Sequence, residues 1–306
     1  MVSILTNQVA VMLLLILTGM LCCKLGLLSD RGIRELSGIV LQVVNPIVIL
    51  LAYHRELELR LVKNLGWTFL LSAAAMGAGI GLATLLIRQK PGRETAVDRL
   101  SAVYSNCGFM GIPLVKALLG YEGVFYLTAF LTVFNLLIWT HGIMSVTGSR
   151  DPRSLLHVLR SPAILAIPLG MLLFFGGITL PGFLTQTLEQ IAGMNTPLAM
   201  LVAGATIAQG SLKQALLQKR VYLIAGYKLL LMPLLTVAMF FALPVDPAVL
   251  STVVLSMAAP TAITCTLFAV QNGKNAEYAS QIFAVSTVVS LLTLPLTGLL
   301  LEAVEK

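Results

Sequence analysis

The sequence predicts an all-α polytopic membrane protein: ten transmembrane helices in an inverted 5+5 repeat, with the fourth and ninth helices broken where they cross. Three observations lead there. Of 306 residues, 58% are hydrophobic and 11% charged, and the mean hydropathy is +0.93. A soluble domain carries about 25% charged residues, so this chain has too little polar surface to cover a water-soluble globule. Second, proline interrupts two membrane-length apolar stretches, Ser105-Asn106-Cys107-Gly108-Phe109-Met110-Gly111-Ile112-Pro113-Leu114 and Ala258-Ala259-Pro260-Thr261-Ala262-Ile263-Thr264-Cys265. Proline removes a helix hydrogen bond and clashes with the preceding turn. In hydrocarbon the freed groups must be satisfied within the protein or line a cavity. Third, the halves match in order. At an offset of 151, Gly19-Met20 meets Gly170-Met171, Gly26 meets Gly177 and Pro46 meets Pro197. At an offset of 155, Ser105 meets Pro260, Asn106 meets Thr261 and Glu122 meets Glu277.

The spans are expected at 5–28, 35–54, 63–87, 97–119, 122–146, 160–179, 185–209, 220–243, 247–270 and 276–301. The seventh is the least apolar, because Gln186, Glu189, Gln190 and Asn195 dilute its first half. The first span is too long for the apolar region of a cleavable signal peptide, and no basic segment precedes it. Fourteen Lys and Arg fall in the odd-numbered loops and four on the opposite side. The positive-inside rule makes the odd loops cytoplasmic and both termini external. With five spans per half, the second half enters the membrane inverted. The expected units are a first repeat at 1–147, a short cytoplasmic linker at 148–160 and a second repeat at 161–306.

The net charge of +7 follows from these loops and forms no stripe or motif for nucleic acid. Cys22, Cys23, Cys107 and Cys265 all lie in apolar spans, which argues against a disulfide framework. His54, His141 and His157 have no neighbours at metal-ligand spacing and read as structural. No paired carboxylates, Ser–His pair or metal motif lies at membrane depth, so an intramembrane enzyme is not expected, nor is a cofactor.

What remains is the pair of interrupted helices. One in each half is the mark of a secondary transporter's binding region. Gly108, Gly111 and Pro113 disfavour regular helix after Asn106. An unwound stretch there exposes N–H groups, and the following half-helix presents its positive end. Such a site, including Cys107, suits a carboxylate, with the Asn106 amide donating to it. An asparagine that only ties helices together is the alternative. Pro260, Thr261 and Thr264 form the partner break, where ordinary Ser/Thr packing is equally expected for Thr264. Asn45-Pro46 and Asn195-Thr196-Pro197 either line the cavity from the sides or simply kink their helices. Lys228 is a functional candidate by its depth, but snorkelling to the cytoplasmic end is favoured, as it is for Lys116. No Asp or Glu sits mid-span, so a midplane proton carrier is not evident.

At these residues the chain resembles the auxin efflux carrier family. SNCGFMGIPL is similar to the family's PNTLVMGIPL, and LLGYEG to the ending that follows it. The stretch from Ala259-Pro260 through Asn275 and Glu277 to Leu294-Pro295 is similar in spacing to the segment beginning LPQGIVPF. Thr196-Pro197-Leu198-Ala199-Met200 also fits. The resemblance implies ten spans, a crossover of helices 4 and 9, elevator-type movement against a dimerising scaffold, and export of small carboxylates across the plasma or inner membrane. Malate-like, malonate-like and aromatic acids are the implied substrates. The family's crossover Asn falls on Asn106 and its prolines on Pro113 and Pro260, but its second ninth-span Pro falls on Cys265 and its Gln on Thr261. A sodium-coupled organic anion symporter of the bile-acid transporter type is the rival reading; it predicts cation ligands at the same crossover.

Overall fold

A computed structural model describes residues 2–89, 94–148, 162–210, 215 and 217–304. The described residues are predominantly helical, and among them no β-strand occurs beyond one isolated bridge. Among the described residues, seven helices are long and apolar enough to cross a membrane. They are α1 (Val2–Lys24), α2 (Asp30–Tyr53), α3 (Leu59–Leu86), α5 (Cys107–Thr147), α7 (Gly182–Gln209), α8 (Lys219–Phe240) and α11 (Ala276–Val304). Between them lie α4 (Thr95–Val103) and α10 (Ile263–Gln271), and the short apolar helices α6 (Pro162–Phe175) and α9 (Pro247–Ala258). The 41-residue α5 is kinked at Gly120, whose φ of 63° only glycine adopts without strain. Residues 149–160 of the expected linker lie outside the described residues.

The helix starts follow local chemistry. Ser29 caps α2 by accepting from Gly32 N–H at 3.2 Å, and Asp246 caps α9 by accepting from Ala248 N–H at 3.0 Å, ahead of Pro247. These side chains satisfy N–H groups that the first helical turn leaves open. Prolines shape the interiors in a consistent way. π-helical turns at Val40–Val44, Cys107–Gly111 and Tyr227–Leu231 each end two residues before a proline, namely Pro46, Pro113 and Pro233. The proline ring crowds the carbonyl four residues back, and widening the turn that holds this carbonyl relieves the clash without ending the helix.

Two groups of helices pack side by side. In one, α1 runs along α7 and α2 along α6. The α1–α7 crossing is a backbone contact: a Cβ on Gly19 would strike the Leu201 carbonyl, and one on Gly204 the Ile16 carbonyl. Small residues at such crossings are how membrane helices gain close packing without a hydrophobic drive between them. The other group holds α3, α4, α5, α8, α9, α10 and α11. Its ends are tied by charge. At one end Arg60 pairs with Glu122 at 2.8 Å and Asp246 at 3.2 Å, and Asn64 donates to Asp246 at 2.7 Å. At the other, fully buried Asp98 on α4 accepts from Arg220 on α8 and from the Tyr278 hydroxyl on α11.

Candidate functional site

The site is built where two interrupted helices meet. α4 ends at Val103 and α9 at Ala258, and in each case the chain runs extended for a few residues before helix resumes at Cys107 and Ile263. The extended stretches lie antiparallel, with Ser105 opposite Thr261. Asn106 N–H donates to the Pro260 carbonyl at 2.7 Å, and Ala262 N–H to the Tyr104 carbonyl at 2.9 Å. Proline has no N–H to satisfy, so Pro260 suits the position whose carbonyl alone is used. Thr261 locks the join: its hydroxyl donates to the Ser101 carbonyl at 2.8 Å, and its N–H to Ser286 Oγ at 3.2 Å.

The first break therefore sits earlier than the sequence suggests. Tyr104–Asn106 are unwound, whereas Gly108, Gly111 and Pro113 are inside the helix. The π turn accommodates Pro113 without a break, and the pairing with residues 260–262 supplies what makes the chain extended at Tyr104–Asn106, upstream of that turn. The second break lies where the sequence puts it, between Ala258 and Ile263.

Four helix ends converge here. The starts at Cys107 and Ile263 carry partial positive charge and the ends at Val103 and Ala258 partial negative charge. The two starts open on a cavity of about 280 Å³, near the lower end of the range for ligand pockets, about 300–1,000 Å³. Asn45, Asn106, Cys107, Gly108 and Thr264 line it. Gly111, Pro113, Pro260 and Thr261 do not, among the described residues; they shape or tie the helices behind it. The rest of the wall is largely apolar, including Phe109, Phe134 and Trp139, and among the described residues no Asp, Glu, Lys, Arg or His lines it. The Asn106 backbone is fully engaged, its carbonyl accepting from Met110 N–H at 2.9 Å. Its carboxamide, on a residue only 4% exposed, has no partner within the chain among the described residues. Asn45 reaches the Gly108 carbonyl at 3.5 Å and accepts from Asn195 at 2.5 Å, so the two kinked helices meet through their amides.

Sequence reasoning missed Gln42, Ser105, Asn135 and Trp139, which also line the cavity. Asn135 carried the usable signal, an amide within an apolar span. Lys228 corrects an expectation: it does not snorkel. It is fully buried and donates to the Val103 carbonyl at 3.1 Å, the Met257 carbonyl at 2.9 Å and Ser105 Oγ at 2.5 Å. The π turn before Pro233 holds Lys228, and the carbonyl ends of α4 and α9 give its ammonium partners nearer than water. Lys116 instead lies over Tyr121, 4.3 Å from the ring centre. His141 has a structural partner, Tyr104 hydroxyl, at 3.0 Å; His157 lies outside the described residues.

The two threonines should separate by experiment. Thr261→Val leaves the buried Ser101 carbonyl unpaired, a cost of about 1–3 kcal/mol, and should lower the melting midpoint in detergent. Thr264→Val, on the cavity wall, should keep the midpoint and shift the substrate concentration for half-maximal transport. Equal melting of both variants would contradict this division.

A model of the family described as "Membrane transport protein" matches residues 4–297. An uncharacterised transporter of Methanothermobacter thermautotrophicus is 24% identical over 303 residues, covering 97% of this chain and 98% of that protein. One from Methanocaldococcus jannaschii is 23% identical over 217 residues, covering 68% of this chain and 70% of that protein. The chain therefore belongs to the membrane transport protein family, that of the auxin efflux carriers, which is a family of membrane transporters and not an enzyme family.

Proposed function

We propose that this protein is a secondary transporter that moves a small organic anion by elevator-type alternating access, in the direction of export. The observation that carries the reading is the unpartnered Asn106 carboxamide at a cavity onto which two helix starts open. An amide at a cavity wall can donate to a bound carboxylate, and positive helix ends with no cationic side chain among the described lining residues suit one. The aromatic walls favour an acid with one carboxylate and an apolar or aromatic body. A second carboxylate, as in malate or malonate, would lie desolvated against them.

Ten spans in an inverted repeat are supported by symmetry at the crossover. An offset of 156 pairs Tyr104 with Pro260 and Asn106 with Ala262, and exchanging the members of each pair turns the bond from Asn106 N–H to Pro260 into the bond from Ala262 N–H to Tyr104. Positive-φ glycines recur in corresponding places, Gly26 with Gly177 and Gly120 with Gly273. The cavity takes residues from both helix groups, Asn45 on α2 and Asn106 beside α5, as a carrier needs if one group slides against the other. The loop charges favour external termini in a cell membrane. One negative charge leaving a cell at 100 mV gains about 2.3 kcal/mol, enough to drive export. A homodimer through the α1, α2, α6 and α7 group is part of this reading.

The test is solid-supported-membrane electrophysiology on proteoliposomes, with aromatic monocarboxylates, malate and malonate, with and without a sodium gradient. Saturable currents with the monocarboxylates in the absence of sodium are expected. Currents that require sodium would favour the symporter, and no current with any acid in folded protein would overturn the reading.

A further inference from the structure

The crossover has a second face, and it is occupied by a side chain. We propose that the Lys228 ammonium is a tethered cation filling a monovalent-cation site built by the chain itself, so that the crossover takes no soluble coupling ion.

The site is made of oxygen atoms from both interrupted helices. α4 and α9 each end there, contributing the Val103 and Met257 carbonyls at 3.1 and 2.9 Å, and Ser105 Oγ closes the set at 2.5 Å. Carbonyls at helix ends have no partner in their own helix and carry the negative end of its dipole. Two such ends pointing at one another in a fully buried place call for a positive charge between them, since apolar surroundings screen little. Among the described residues no carboxylate lies within ion-pair distance of Lys228, so these helix ends and a hydroxyl serve as its counter-charge. The three N–H groups of an ammonium match the three oxygens. Oxygen ligands from carbonyls and a hydroxyl are also what a sodium or potassium ion takes, and the lysine nitrogen stands in the position that such an ion would need.

Ser105 joins the two faces. Its hydroxyl binds Lys228 and the same residue lines the cavity. The fixed charge thus lies directly behind the anion site, where it holds both negative helix ends together and adds to the positive field of the two starts. A carrier built so carries its cation on its own chain. This consequence for coupling rests on the transport reading, while the site itself does not.

The test is thermal melting of the full chain in detergent, in chloride salts of sodium, potassium or methylammonium against N-methylglucamine at equal ionic strength. Wild type should melt at the same midpoint in all of them. Lys228→Ala should melt lower in N-methylglucamine and recover saturably with sodium or methylammonium, which fit the vacated space. Lys228→Met, which removes the charge but fills the space, should melt lower and recover with none. A saturable sodium shift in wild type, or an alanine variant that no small cation restores, would overturn the proposal. Should the alanine variant not accumulate, wild type decides: insensitivity supports the tethered cation and a saturable shift overturns it. Melting requires no substrate. A chain that melts as expected yet moves no acid would overturn the transport reading alone.

Discussion

Asn106→Ala should abolish most substrate-driven current while leaving the protein inserted and folded. The two roles of this residue are carried by different atoms. Its N–H and carbonyl hold the crossover through Pro260 and Met110, and alanine keeps both. Its carboxamide stands free at the cavity, and alanine removes it. A hydrogen bond to a charged group contributes about 1.5–3 kcal/mol, which corresponds to a roughly tenfold to hundredfold loss in apparent affinity. Asn106→Asp keeps the shape but sets a carboxylate against the anion, and should abolish current at any substrate concentration. The melting midpoint of the alanine variant should stay near that of wild type, because no partner within the chain is orphaned. Wild-type currents from Asn106→Ala would remove the centre of the proposed site; a large loss of stability would show that the amide ties helices instead.

The crossover was legible because its ingredients are local. Proline in an apolar run, an asparagine beside it and a second such run in the other half can be read without a structure, and Pro260 marks its break correctly. The misplaced first break shows where local reading ends. Pro113 has the same clash to relieve as any proline, but a π turn relieves it, and the extended residues are set by a partner more than 150 positions away. Lys228 was unreadable for the same reason. Its carbonyl partners lie 125 and 29 residues from it in sequence, and only the fold brings two helix ends together around it. Asn45 and Asn195 were each visible as kink residues, but their contact was not. The apolar side of the cavity, Phe109, Phe134 and Trp139, carries no pattern that separates it from lipid-facing or core residues.

Arg220→Ala should be among the most destabilising single changes in the chain, and its effect should reach transport. Asp98 is fully buried on α4, and its carboxylate accepts from Arg220 Nε at 2.9 Å and from the Tyr278 hydroxyl at 2.6 Å. Removing one partner of a buried pair leaves an uncompensated charge, at a cost of about 3–5 kcal/mol. The Arg220 side chain is 26% exposed, so water can partly replace it and the lower end of that range is expected. The knot joins three helices, and α4 is the one that carries Val103 to Lys228 at its other end. An α4 set loose at Asp98 should misalign the carbonyl that faces Lys228, and so lower transport per folded molecule as well as the melting midpoint. Asp98→Leu with Arg220→Leu should recover much of the stability, since replacing a buried ion pair by apolar side chains is often neutral. Tyr278→Phe added to that pair should then cost little, because the hydroxyl has already lost its acceptor. A double-mutant cycle on the melting midpoints reads the coupling directly; additive losses from the two single variants would show that Asp98 and Arg220 are neighbours without holding α4 in place.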